Sequence, residues 1–374
     1  MASSSSPWQR FLRDLKIEDM LGAGPTEELK VDMLNRIIFL NKDETVKDAI
    51  DLLTQNKIIS APVYDDDANQ FIGFVDMLDL ATLCVEHLST AGKPLTQEEF
   101  ERLPICSVID LSGRNSWLPL DRAAPLGELF AALSKPDVHR VPIVDSKATM
   151  TVVGSTLWVT EREPEKKVLA IITQAEVIRW LWVSRSSPGF PTAALAMKIK
   201  DMSTAAVHEF AAQRELVLIE ENHTVIAALR KIVEKRVNGL GVVSESGELV
   251  GNVSATDVRV AAATGWQELT ALLAKPLRDF LKFKASLMLT INERASHPRP
   301  ITVTPEDKLE TALEKLAVNH VHRVWVVRGE AAVAGTGAAA RAEAEVEGFK
   351  LGANVPVGCV SLTDVIHELA EFNA

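Results

Sequence analysis

The 374-residue chain has only three cysteines, Cys84, Cys106 and Cys359, and a single tyrosine, Tyr64. The cysteines are far apart, odd in number and form no CxxC. This fits a reducing compartment and gives no zinc spacing. With one Tyr, aromatic platforms for single-stranded nucleic acid are scarce. Basic charge is in deficit: 40 Lys and Arg stand against 51 Asp and Glu, for a net charge of −11. That argues against wholesale binding to nucleic acid or an anionic membrane and leaves room for a local basic pocket. No run approaches the ~18 consecutive apolar residues of a membrane span. The N-terminal stretch MASSSSPWQRFLRDLKIED has no apolar h-region, so no secretory signal is read there. Its serines, Arg10 and Arg13 leave a chloroplast-type transit peptide as an alternative, which Asp14, Glu18 and Asp19 oppose. There is no GxGxxG, no Walker A and no Ser/His/Asp arrangement in a recognisable motif, so no catalytic residue is assigned and no enzyme is expected.

What is present is ordinary in bulk and unusual in detail. Hydrophobic residues make up 47% and charged residues 24%, as in a soluble globular protein long enough for two or more domains. The heptad VHRVWVV, beginning at Val321, has the β-branched and aromatic character of a buried strand, yet holds His322 and Arg323. VHRVPIV, beginning at Val138, shares five of its seven letters and carries His139 and Arg140. Burying an unpaired charge is costly, so two such insertions at equivalent places demand an explanation.

The two heptads mark a repeat. PITVTPEDKLETALEKLAVNHVHRVWVV reads as a short strand over Ile301–Val303 and a helix that Thr304 caps, with Pro305 in its first turn. The charged strand follows. VGCVSLTDVIHELAEF then gives a strand, Ser361 as N-cap and another helix. The unit is β-α-β-β-α, and it recurs from IIFL to the helix MLDLATLCVEHL, from APLGELFAALSK to QAEVIRWLWV, and from LVLI to ATDVRVAAA. The spacings alternate. Pro62 to Asp79 is 17 positions and Gly241 to Asp257 is 16, whereas Pro142 to Glu176 is 34 and Trp325 to Asp364 is 39. Compact and expanded units therefore alternate, which predicts two modules of two units, divided near residues 186–196. TVVGSTLWVT is expected to extend the second unit's hairpin, and the Ala/Gly-rich insert at about 329–356 is read as a loop. The expected organisation is an N-terminal segment 1–34 and repeats over 35–90, 105–186, 196–265 and 280–372. MLGAGPTEELKVDMLNR before the first repeat reads as a docking helix or a plain lead-in.

Each repeat closes on an acid: Asp79, Glu176, Asp257 and Asp364. Thr173, Ser254 and Ser361 precede the last three by three residues, and Asp76 precedes the first. A capping box explains any one of them. The same carboxylate also suits the adjacent hydroxyls of a ribose, beside backbone N–H groups that suit an anion. The plain reading of a single His-Arg pair is a solvated strand edge. A metal site at His320, His322 and His367 lacks a completing ligand pattern.

These residues resemble the CBS domain, which works in pairs called Bateman modules. Four units with VHR-hydrophobic and G-x-V-S-x-x-D patterns are similar to the gamma regulatory subunit of AMP-activated and sucrose-non-fermenting-type protein kinases, across residues 35–372. The resemblance implies an α/β fold of α+β type repeats, with two Bateman modules in a disk. It implies regulatory ligands AMP, ADP and ATP, no cofactor and no metal. Ser361 with Asp364 and Ser254 with Asp257 would hold ribose, with Thr173, Glu176 and Asp79 at the equivalent places. His139, Arg140, His322 and Arg323 would face phosphates. Kinase catalytic (alpha) and scaffold (beta) subunits would be partners, without nucleic acid or membrane, in the cytoplasm alone or in both cytoplasm and nucleus. Asp76 stands where the family often has Ser or Thr, Ile59 where it often has Arg, Glu176 is a longer acid than usual, and Gly239 and Gly241 either permit close approach of a ligand or loosen the third unit's strand. These departures favour the sites of Asp257 and Asp364 over those of Asp79 and Glu176. They also support the alternative of an interaction scaffold with degenerate sites.

Overall fold

The computed structural model describes residues 6–22, 37–88, 95–145, 148–153, 156–161, 167–203, 206–207, 216–262, 266–291, 299–328 and 354–372. Most of the insert expected at 329–356 and most of the lead-in at 20–36 lie outside them. The chain forms two compact units. The first comprises Met1–Leu80, Leu95–Leu195 and Leu362–Ala374, and the second Ala81–Pro94 and Ala196–Ser361.

In chain order, the first unit opens with helices α1 (Pro7–Asp14) and α2 (Ile17–Gly22). Strands β1 (Ile37–Ile38) and β2 (Leu40–Asn41), helix α3 (Val46–Gln55), and strands β3 (Ser60–Asp65) and β4 (Gln70–Asp76) follow, and helix α4 (Met77–Leu88) passes from the first unit into the second at Ala81. After α5 (Gln97–Glu101) come β5 (Leu120–Asp121), α6 (Leu126–Leu133), β6 (Arg140–Asp145), β7 (Ala148–Val153), β8 (Thr156–Glu161), β9 (Lys167–Thr173) and α7 (Gln174–Ser184). The second unit carries β10 (Ala206–Val207), β11 (Leu218–Glu220), α8 (Val225–Glu234), β12 (Gly239–Val243), β13 (Leu249–Ser254), α9 (Asp257–Ala262), α10 (Trp266–Ala274) and α11 (Leu277–Ile291). It continues through β14 (Thr302–Val303), α12 (Leu309–Val318), β15 (Arg323–Val327) and β16 (Pro356–Ser361). The last helix, α13 (Leu362–Glu371), belongs to the first unit.

Four sheets share one plan. β2 runs parallel to β3 and β3 antiparallel to β4, and the same holds for β5-β6-β9, β11-β12-β13 and β14-β15-β16. A parallel pair needs a crossover, and an amphipathic helix supplies it each time. α3 shows why it forms where it does: Thr45 and Asp48 make a capping box, and Val46, Ala49 and Leu53 are buried along one face. Each central strand carries an irregularity at the same place, between Val63 and Tyr64, Ile143 and Val144, Val242 and Val243, and Val326 and Val327. Three of the four crossover helices are followed by a residue in the left-handed conformation, Lys57, Arg236 and His320. Such a residue ends a helix by turning the chain sharply. That is the position His320 occupies.

Two expectations are corrected. Thr304 and Pro305 do not begin the helix. Thr304 N–H and Oγ1 donate to Asp307 Oδ2 in a capped turn, and α12 starts at Leu309, after Lys308. TVVGSTLWVT does not lengthen the β6–β9 hairpin: β7 and β8 form their own sheet, with β1 as third strand.

The core of the first unit includes Trp8, at 1% exposure. Its ring meets Phe130 and Phe190 edge-on, and Nε1 donates to Leu369 O. A second cluster joins Ile37, Phe39, Tyr64 and Val168. In the second unit Leu249, Trp325 and Val327 form the equivalent cluster. No helix among the described residues is long and apolar enough to cross a membrane.

Candidate functional site

The four-fold plan brings the charged strands and the closing acids to the same address. Arg140 heads β6 opposite Thr173, Arg323 heads β15 opposite Ser361, Gly239 heads β12 opposite Ser254, and Ser60 heads β3 opposite Asp76. Each acid lies three residues beyond the second member of its pair. Arg140 and Arg323 thus sit at the ends of central strands rather than along edge strands.

In the first unit this address is closed. Arg140 is 4% exposed. Its Nη1 donates to Asn115 Oδ1 at 2.8 Å and its Nη2 to Asp76 Oδ2 at 3.0 Å. The guanidinium also lies 5.3 Å from the Phe74 ring centroid. Asp76 Oδ1 accepts the N–H groups of Leu78 at 2.8 Å and Asp79 at 3.0 Å. Asp76 thereby does the capping work of a Ser or Thr and also neutralises Arg140. Asp79 Oδ2 accepts from Asp76 N and Asn115 Nδ2, and its Oδ1 accepts from Ser112 N at 2.8 Å.

The charges respond to this burial. Burial opposes ionisation of Asp76, but the Arg140 guanidinium holds its carboxyl below the usual carboxylate range. Burial, then the Asp76 charge, pushes Asp79 up to about 8. Burial, then the charges of Arg140 and Arg114, brings His139 down to about 4, so it is neutral near pH 7. Arg114, 7% exposed, donates to Pro136 O at 2.9 Å and Asp137 Oδ1 at 3.3 Å. On the other pair, Glu176 Oε2 accepts from Thr173 N at 2.6 Å and Oγ1 at 2.9 Å, a complete capping box.

In the second unit the address is more open. His322 is exposed and Arg323 half-buried. Arg323 extends over the head of β12, where a Cβ on Gly239 would stand 1.9 Å from its Nη1. Gly239 is therefore needed for close approach. Ser254 N–H donates to Asp257 Oδ2 at 2.8 Å, and Lys284 Nζ lies 2.6 Å from Asp257 Oδ1. Asp364, in the first turn of α13 and so part of the first unit, is 6% exposed.

Asp79, Glu176 and Asp257 each receive the N–H of the residue three positions earlier. The capping geometry suspected in the sequence is thus present in these three. Sequence reasoning missed Asn115, Ser112, Arg114, Phe74 and Lys284. It also missed the segments that lead into each repeat. Lys16 bridges Pro125, Lys198 bridges Lys308, Thr45 bridges Pro104, and Thr224 bridges Pro276. A signal existed: KIEDM at 16–20 recurs as KIKDM at 198–202. Among the described residues no group of three or more His, Cys, Asp or Glu could hold a metal ion.

Comparison with known proteins places this geometry. The CBS domain model matches residues 27–86, 207–263 and 293–336. The β5-β6-β9 repeat lies outside those matches yet has the same topology. Protein SDS23 of Vanderwaltozyma polyspora is 25% identical over 307 residues, covering 79% of this chain and 54% of that protein. Protein SDS24 of Saccharomyces cerevisiae is 24% identical over 306 residues, covering 79% and 53%. The chain thus spans about half the length of the curated relatives it matches. Among solved structures, protein MJ1225 of Methanocaldococcus jannaschii, described as a candidate archaeal homologue of γ-AMPK, aligns with TM-score 0.61 and 16% identity, covering 88% of this chain and 95% of that one. The fold is that of CBS tandem repeats, and three segments of the chain match the CBS domain model.

Proposed function

We propose that this chain is an adenine-nucleotide-binding regulatory subunit, gamma-like, of an AMP-activated-type protein kinase complex, and that nucleotide phosphate is read in its second unit. His322 and Arg323 are the proposed phosphate donors and Ser361 their neighbour. Asp364, three residues after Ser361 in sequence and at the start of α13 in the first unit, is proposed separately as a ribose acid. The observation that carries this is the accessibility of His322 and Arg323 at the address where Arg140, its counterpart, is buried against an internal carboxylate. A forked guanidinium and an imidazole are suited to phosphate oxygens. The likeness in fold to a candidate γ-AMPK homologue supports the same reading, and catalytic and scaffold kinase subunits are the partners it implies. Regulation by such a chain requires AMP, ADP and ATP to favour different states, because a ligand shifts an equilibrium only through unequal affinity.

A second reading, an interaction scaffold whose sites no longer bind, is favoured by the Arg140–Asp76 and Lys284–Asp257 pairs. Calorimetric titration of AMP, ADP and ATP into the full chain separates the two. The nucleotide reading expects saturable binding that Asp364→Ala removes for every nucleotide. It expects His322→Ala/Arg323→Ala to weaken binding more as phosphates are added. Neither heat nor thermal stabilisation at millimolar nucleotide leaves the scaffold.

A further inference from the structure

The segments joining the paired repeats match position for position. In the first unit Pro104 bridges Thr45, and Ile109 Cγ2 lies 2.5 Å from where a Cβ on Gly73 would be. In the second, Pro276 bridges Thr224, and Leu281 Cδ1 lies 2.3 Å from the Cβ position of Gly251. Ile109 and Leu281 each come five residues after their proline. Three residues further on, Ser112 and Lys284 each reach back to the acid of the preceding repeat. Ser112 N–H donates to Asp79 Oδ1 at 2.8 Å, and Lys284 Nζ lies 2.6 Å from Asp257 Oδ1.

The same oxygen is covered by different chemistry. A backbone N–H leaves only when its segment unfolds, and Asn115 Nδ2 seals the other oxygen of Asp79. An ammonium on a flexible four-carbon stem leaves by rotating. The Lys284 side chain is 19% exposed, whereas Asp257 is 2% exposed. Lys284 therefore gives this closure a path to solvent. The Ser254 N–H is bonded to the other oxygen, Oδ2.

We propose that Lys284 is a displaceable stopper on Asp257: a ligand that uses this carboxylate through a vicinal diol, as a nucleoside does, must first dislodge the ammonium. This deepens the functional proposal above and rests on its reading of the second unit as a nucleotide site. It gives α11 a regulatory role, because any partner that shifts this helix along its axis moves Lys284 onto or off Asp257. It also sets a direction. Removing the amine opens the oxygen, so affinity for a diol rises when Lys284 is lost, the reverse of what a ligand-binding lysine would show.

The test uses adenosine, which carries the diol and no phosphate, so its binding does not depend on His322 or Arg323. Adenosine is titrated calorimetrically into the full chain, its Lys284→Met variant and its Lys284→Met/Asp257→Asn variant. At least a tenfold gain in affinity for Lys284→Met, lost again with Asp257→Asn, is expected. If Lys284→Met fails to fold, Lys284→Gln serves instead, since its amide is a neutral donor. Folded variants that bind adenosine no more tightly than the wild type overturn the proposal, and so does a gain that survives Asp257→Asn. AMP titration of the wild type runs alongside. AMP binding with no gain for adenosine refutes the stopper alone, whereas no binding of either ligand to any variant refutes the nucleotide reading with it.

Discussion

The two units are built on one plan and spend their charges differently. Both place an arginine at the head of a central strand, and both set a linker against the preceding repeat. In the first unit Arg140 meets Asp76 inside the protein. In the second, Arg323 lies over a glycine and remains half-buried, beside an exposed His322. A shared plan of folding thus accommodates two outcomes: a buried ion pair in one unit, and an accessible His-Arg pair in the other. Even an ion pair between lead-in and repeat is reversed in sign, Glu18 with Arg122 in the first unit and Lys200 with Glu306 in the second.

The contrast breaks most readily at Asp76. Asp76→Ala leaves Arg140 buried without its carboxylate and orphans the N–H groups of Leu78 and Asp79. A stability loss of about 3–5 kcal/mol is expected, read by urea unfolding, with AMP affinity unchanged under conditions where the variant is folded. A loss below about 1 kcal/mol would make the pair no more than a surface contact.

Glycine 239 sharpens the contrast from the other side. A Cβ there would meet Val253 O at 2.8 Å as well as the Arg323 guanidinium. Gly239→Ala should cost about 1–3 kcal/mol and weaken AMP binding by displacing Arg323. Ser60→Ala, at the matching position of the first unit, should change stability by no more than about 0.5 kcal/mol and leave binding alone. Thermal melts and calorimetry on the two variants decide it; equal effects would remove the distinction between the units.

The pH dependence of stability should also come from the first unit. Asp79 has its folded pKa raised from 3.8 to about 8. The folded chain holds a proton that the unfolded chain has released, so stability falls as pH rises through that window. His139 has its folded pKa lowered from 6.5 to about 4. The unfolded chain then binds the extra proton, so stability falls as pH drops from about 6.5 through about 4. Of these two groups Asp79 alone acts above pH 6.5, and a decline from there to pH 8 is expected in denaturation midpoints. A flat profile over that range contradicts the buried, proton-holding Asp79.

The smallest effect separates capping from ligand binding at the second repeat. Thr173→Ala removes a complete capping box and should cost about 1 kcal/mol without altering nucleotide affinity. A lowered affinity would return Thr173 and Glu176 to the ligand site.

Much of this was legible in the sequence. The four repeats, their helices and the alternation of compact and expanded hairpins followed from period and spacing, because crossover helices and paired strands leave strong apolar patterns. The shared location of the His-Arg pairs was legible for the same reason. What Arg140 does there was not, since its partner Asp76 is 64 residues away and Asn115 belongs to a loop without periodicity. Lys284 was hidden similarly: a lysine on an amphipathic helix looks like a solvated one until the chain folds it against Asp257. Thr304-Pro305 misled because a capped turn and a capped helix begin with the same residues.

The most direct test titrates AMP into two variants in parallel, His322→Ala/Arg323→Ala in the second unit and His139→Gln/Arg140→Lys in the first. The account predicts that the second-unit change abolishes or strongly weakens saturable binding, while the first-unit change lowers stability and leaves affinity within about twofold, a difference of roughly 0.4 kcal/mol. Binding that survives loss of His322 and Arg323 but vanishes with the first-unit change would contradict it.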